Sequence, residues 1–264
     1  MTRSACAIAG VLFATGSAFA NVTDVNAFRD VPRLFNDRPG SNLTYSSNFG
    51  AGTVSVEEDT YGGGGFANRH VSWFSSDGGA TARDFNYGDF FDICTTLTID
   101  ATDAEVEAGF SFDLFGLGAY RVRSSDGEIA SFGSAVNQFH SFGTGLYAPG
   151  ETLSLRMIYR PGSGDGFTFN PTIPSTVEYL YNNLSQATGW VSSGKIQFTN
   201  GEGGIPDGVG NIFQALVGVG AQINNPDPTT GSVNVQFTDI KVLPAPGTAA
   251  LLGLAGLVGV RRRR

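Results

Sequence analysis

From Ala104 to Leu114 apolar and polar side chains take strict turns. Ala104, Val106, Ala108, Phe110, Phe112 and Leu114 alternate with Glu105, Glu107, Gly109, Ser111 and Asp113. A period of two suits a strand with one face in a core, and it excludes an amphipathic helix. The same period returns in Leu153, Leu155, Met157 and Tyr159, in Val177, Tyr179 and Tyr181, in Ile196 with Phe198, and in Val217, Val219, Ala221 and Ile223. Clusters of Gly, Asn and Asp interrupt the chain at intervals of about ten to fifteen residues, the rhythm of turns between short strands. The chain has 37 glycines. Gly218 and Gly220, inside an apolar alternation, predict a close approach of another backbone.

The last alternation changes parity. Val233, Val235 and Phe237 fall on one side and Ile240 and Val242 on the other, so an extra residue at Thr238-Asp239 predicts a β-bulge that restores one apolar face. Earlier in the chain, "TVSVEEDT" and "HVSWFSS" read as strands, with "YGGGGFANRH" and "SSDGGATARDFNYGDF" as loops. Many strands with no helix between them predict an all-β, antiparallel β-sandwich. The runs "AEVEAGFSFDLFG", "ETLSLRMIYRPG", "TVEYLYNN" and "SVNVQFTDIKVL" resemble a concanavalin A-like jelly roll. That resemblance implies that the first strands pair with the last, so residues 21–243 are expected to form one domain.

The two ends differ from this body. Met1 to Ala20 has Arg3, an apolar stretch and Ala18-Phe19-Ala20, the small-x-small pattern of a secretory signal cut before Asn21. The expected signal helix is too short to cross a bilayer. The other end reads "LPAPGTAALLGLAGLVGVRRRR". Its apolar run makes a helix of about 20 Å, against about 30 Å of hydrocarbon. Arg261, Arg262, Arg263 and Arg264 then act as a membrane stop held on the cytoplasmic side. Pro244-Ala245-Pro246, the short apolar helix and the arginines together resemble a PEP-CTERM sorting signal, with Ala245 where that family has Glu. The resemblance implies export, transient anchoring in the inner membrane over residues 244–264, and processing near the Pro motif by a membrane-embedded exosortase-type transpeptidase. The product is then passed to the cell envelope or extracellular matrix.

With Arg3 and the four C-terminal arginines removed, and no acidic residue lost, the body is more acidic than the precursor's net charge of −8. That disfavours nucleic acid and anionic lipid as partners of the body. Cys94 is then the sole cysteine, and its setting "FFDIC" predicts burial.

Chemistry is harder to find. His70 and His140 read as loop-edge histidines, and the chain has no His-Glu-x-x-His and no Gly-x-Ser-x-Gly. In Glu57-Glu58-Asp59 the alternation that would set two carboxylates on one face is not evident, and Glu105 with Glu107 reads as solvated charge. The loops Gly162–Gly166 and Asn200–Asn211 offer oxygen ligands for a weakly bound calcium ion but fit no EF-hand. No other cofactor is expected. Trp73, Trp190 and Tyr61 lie beside loops, where a ring face can serve as a platform for sugar. The expectation is an exported, non-enzymatic surface or matrix protein with a structural or adhesive role. A lectin-like module for exopolysaccharide is the alternative, and a glycoside hydrolase the more distant one.

Overall fold

The computed structural model describes residues 20–86, 88–113, 117–133, 139–162, 175–197 and 215–243, with the side chains of Ala20, Asn21 and Leu117 left aside. The signal sequence, the Pro motif, the apolar tail and its arginines lie outside the described residues, as do Leu114, Phe198, the loop Asn200–Asn211 and most of Gly162–Gly166. No helix of the described residues is long and apolar enough to cross a membrane.

In chain order the first strands are β1 (Ala20–Asn21), β2 (Ala27–Asn36), β3 (Asn42–Asn48), β4 (Thr53–Asp59), β5 (Ala67–Ser75), β6 (Asp84–Phe85), β7 (Asp89–Thr102) and β8 (Glu105–Asp113). Then come β9 (Leu117–Arg123), β10 (Ile129–Gly133), β11 (His140–Gly143), β12 (Thr152–Arg160) and β13 (Thr176–Asn183). The last are β14 (Val191–Ser192), β15 (Ile196–Gln197), β16 (Ala215–Asn224) and β17 (Ser232–Leu243). They form two sheets. One runs β14-β13-β12-β7-β17-β4-β3, with β1 on β7 and β15 on β13. The other runs β11-β10-β9-β8-β16-β5-β2, with β6 on β16. Among the described strands every pairing is antiparallel except that of β1 with β7. The protein is an antiparallel β-sandwich.

The alternations find their places because a strand sends every second side chain to the same face. Val106, Ala108, Phe110 and Phe112 meet Leu153, Leu155, Met157 and Tyr159, with Val217, Val219, Ala221 and Ile223, in one apolar core between the sheets. Early strands pair with late ones: β4 with β17 and β5 with β16. The bulge sits where expected. The β17–β7 register shifts between Thr238 and Lys241, Asp239 takes φ 52°, and Val233, Phe237 and Ile240 all reach the core. Gly218 is required by a close approach, since a Cβ there would lie 2.1 Å from the Ser72 carbonyl oxygen.

Several segments depart from the sequence reading. Residues 67–70 of "YGGGGFANRH" belong to β5, and "SSDGGATARDFNYGDF" contains β6 and the start of β7. The longest strand, β7, was masked by its threonines and aspartates: Phe91, Ile93, Leu97 and Ile99 face the core from the centre of the sheet. Cys94 is buried as expected, but it has the opposite parity. It lies on the outer face in register with Arg156 and Lys241.

Candidate functional site

Two polar constellations stand out, one between the sheets and one on an outer face. Between the sheets, β4 turns Glu58 inward, opposite Asn68 and His70 of β5. The carboxylate accepts from Asn68 Nδ2 (2.7 Å), from Ser41 Oγ and from His70 Nε2 (3.0 Å), with Arg33 Nη1 at 3.5 Å. Burial pushes the Glu58 carboxyl up, but the hydrogen bonds from His70, Ser41 and the Asn68 amide outweigh it and hold the group below its ordinary value. His70 Nδ1 accepts the backbone N–H of Arg33 at 3.0 Å, so Nε2 carries the proton donated to Glu58. Arg33 has φ 59° in the irregular stretch of β2, a left-handed turn that aims its N–H at the ring.

His70 is therefore not a loop-edge residue. Its ring is fully buried and both nitrogens are engaged, leaving neither to activate a nucleophile. His140 lies on β11 with its ring edge-on to Phe142, and partial burial lowers its basicity.

The second constellation is the outer face of the eight-stranded sheet. Register places three rows there. The first runs Phe35, Arg69, Gln222, Glu107, Arg123; the second Val31, Val71, Gly220, Gly109, Arg121, Ala130; the third Arg29, Trp73, Gly218, Ser111, Ala119, Phe132. Its centre is a floor of three glycines. Two arginines on strands either side of that floor are closed to solvent, Arg69 at 7% exposure and Arg121 at 2%. Arg121 Nη2 donates to Ser111 Oγ (2.9 Å) and Nη1 to the Glu107 carbonyl (3.3 Å), with the Glu107 carboxylate at 4.0 Å. Arg121 Nε and Arg69 Nε and Nη2 are buried without a hydrogen-bond partner. Burial lowers the basicity of both guanidinium groups, and for Arg121 the neighbouring Arg69 charge adds to it. Burial likewise raises the Glu107 carboxyl against the pull of Arg121. Glu107 thus belongs to a half-buried charged cluster, not to solvated surface.

The residues singled out as sugar platforms separate. Tyr61 is 1% exposed, with its ring in the core and its hydroxyl donating to the Glu58 carbonyl. Trp73, at 3%, lies on the outer face but is closed to solvent. Neither ring has a face free for a sugar, because strand parity says which side a residue takes and not whether that side is covered. Trp190, just before β14, is 37% exposed and keeps an accessible ring. Ala18 and Pro244, Ala245 and Pro246 lie outside the described residues. Asn21 pairs with Phe90 on β7.

Strand parity also corrects the reading of Glu57-Glu58-Asp59. Glu58 points in, while Glu57 and Asp59 share the outer face of the other sheet. They line an open cleft of about 330 Å³ with Asp100, Asn42, Thr44 and Ser232. The side chains of Glu57, Asp59 and Asp100 are exposed. Among the described residues no three His, Cys, Asp or Glu side chains are grouped so as to hold a metal ion.

No protein-family model and no curated protein matches the chain. Among solved structures it is similar to a functionally unknown protein from Saccharomyces cerevisiae, with TM-score 0.43 and 11% identity over 80% of this chain and 99% of that one. It is similar also to a Lotus tetragonolobus seed lectin (0.33, 10%, 82% and 99%) and to peanut lectin with a nonapeptide (0.32, 10%, 83% and 99%). Scores of this size carry no argument about a ligand, and the sandwich stands on its own strand pairing.

Proposed function

We propose that this chain is an exported, non-enzymatic protein of the cell surface or extracellular matrix whose β-sandwich adheres to glycan. The observation that carries the glycan reading is Trp190, whose ring stays accessible beside β14 at the edge of the nine-stranded sheet and can serve as a platform for the apolar face of a sugar. The jelly-roll order of a concanavalin A-like module is the finer form of the fold that we favour, because early and late strands alternate in both sheets.

A non-enzymatic role is supported by His70, whose nitrogens are both engaged, and by the solvent-exposed setting of Glu57, Asp59 and Asp100. Export and sorting rest on the two ends of the sequence, with signal peptidase and an exosortase-type transpeptidase as processing partners and transient membrane contact through the tail. One feature of the body suits that arrangement. Asn21 is in register with Phe90 and Leu243 with Asp92, so the chain enters and leaves beside the same end of β7. The body would hang from the membrane by one pole.

Two measurements test the proposal. The intact mass of protein recovered from cell surface or medium is expected to show Asn21 at the front and a C-terminus near Pro244; a mass retaining the four arginines overturns the sorting reading. A glycan array probed with the same protein is expected to show binding, and a blank array overturns the adhesive reading in favour of a purely structural role.

A further inference from the structure

A sheet that does not close leaves a strand edge at each end, and folded proteins guard such edges with proline, bulges, charge or shortness. Among the described strands, three of the four ends are guarded. β2 carries Pro32, the left-handed Arg33 and a register shift between Val31 and Phe35. β11 has four residues and meets β10 through a register shift. β14 and β15, which share the outer side of β13, have two residues each. β3 is the exception. It ends the nine-stranded sheet, pairs with β4 through seven consecutive residues without a shift, and contains no proline, no glycine and no charged side chain.

This edge is held in place from within. Tyr45 Oη shares a hydrogen bond with Ser72 Oγ of β5, and Ser47 Oγ donates to Asp30 of β2, both at 2.5 Å. Asn42, Thr44, Ser46 and Asn48 take the opposite face and are exposed. Every second residue of an edge strand turns its N–H and C=O away from its single neighbour. Among the described residues, no hydrogen bond reaches the backbone of Asn42–Asn48 from any strand other than β4. A free row of donors and acceptors on a fixed strand is a template for one more strand.

We propose that β3 is the seam of a homodimer, pairing antiparallel with β3 of a second copy about a two-fold axis normal to the sheet. Such an axis keeps outer face with outer face, so only residues of equal parity meet. Centring it on Tyr45 uses all seven residues. Asn42 then lies opposite Asn48 of the partner subunit, Leu43 opposite Ser47 of the partner subunit, and Thr44 opposite Ser46 of the partner subunit. Hydroxyl pairs of this kind stabilise neighbouring strands. Charge favours the same occupant. The chain has a net charge of −8, so two copies repel in general, whereas the β3 seam sets no charge against charge. The meeting wall is about 24 Å long and about as narrow as two sheets 10 Å apart. That area lies at the low end for specific interfaces and makes the dimer reversible. Trp190 stands beside β14, at the far end of the same sheet. The joined sheet therefore carries one accessible ring at each end, up to about 60 Å apart. Bivalent adhesion through those rings rests on the glycan reading above. The dimer itself does not.

Sedimentation equilibrium of the exported protein is expected to show monomer passing to dimer as concentration rises through the micromolar range. Hydrogen exchange on the unsubstituted protein gives a reading independent of any variant. The amides of Asn42–Asn48 are expected to slow with concentration, and those of β11 at the far edge are not. Thr44→Lys combined with Ser46→Lys uses two exposed positions and sets like charges opposite each other across the seam. It is expected to weaken dimerisation about tenfold or more, with Tm unchanged. Ser55→Lys, one strand further in on the same face, is expected to leave dimerisation as it was. A monomer at every concentration overturns the seam. So does a dimer whose β3 amides exchange at the monomer rate, or one that survives the double substitution. Glycan binding scored on the array is independent of all three results, so the two readings fail separately.

Discussion

Glu58 Oε2 lies 3.0 Å from His70 Nε2 in the interior, joining β4 of one sheet to β5 of the other. The pair is closed at its far side by the Arg33 N–H on His70 Nδ1. Every polar atom of the cluster has somewhere to go, and that is how a carboxylate is tolerated in a sandwich core.

Replacing His70 by Ala removes one partner and leaves Glu58 underpaired in a dry site. The expected loss is about 3 kcal/mol of unfolding free energy, read as a lowered urea midpoint with an unchanged slope. A double-mutant cycle with Glu58→Gln is expected to show clear coupling, and additive effects would count against the pairing.

The Glu58 carboxyl is held below its ordinary value of 4.5 in the folded state. A depressed carboxyl pKa contributes stability that is complete above the unfolded value and is lost as pH falls through the folded one. The protein should therefore lose stability on acidification below about pH 4.5, and Glu58→Gln should flatten that part of the stability-versus-pH curve.

Gly218→Ala places a methyl group 2.1 Å from the Ser72 carbonyl oxygen on a central strand. Because that obstacle is backbone, the strands must part, and a loss of about 2–3 kcal/mol is expected in chemical denaturation. Gly63→Ala is the control: nothing lies within 4 Å and its φ is not left-handed. Its effect should stay within about 0.5 kcal/mol.

Asp239 holds φ 52° at the β17 bulge. Asp239→Gly relieves a left-handed backbone and should leave stability unchanged or raise it slightly, by up to about 1 kcal/mol. Deleting the residue removes the parity change, turns Ile240 out of the core and should cost far more, seen in the same denaturation experiment.

The two tryptophans report their surroundings separately. Trp190→Phe should leave a blue-shifted emission, from Trp73, that acrylamide hardly quenches. Trp73→Phe should leave an accessible, red-shifted emission from Trp190. Similar quenching in both variants would contradict the closed outer face.

Periodicity alone determined the sandwich, many of its core residues and the bulge at Thr238-Asp239, because alternation with a period of two is a local property of strand geometry; the core residues of β7 and Tyr61 were not legible that way. The close approach at Gly218 was legible for the same reason: a bare position in an apolar strand has few other uses. The outer face was not legible. Parity separated Trp73 from Phe74, but whether Trp73 meets water depends on what covers the sheet. Nor could sequence bring Glu58 to His70, or set Arg69 and Arg121 on one face either side of Gly220 and Gly109. Those meetings depend on which strands become neighbours and in what register. Only long-range pairing decides that, and in this chain it joins segments from opposite ends.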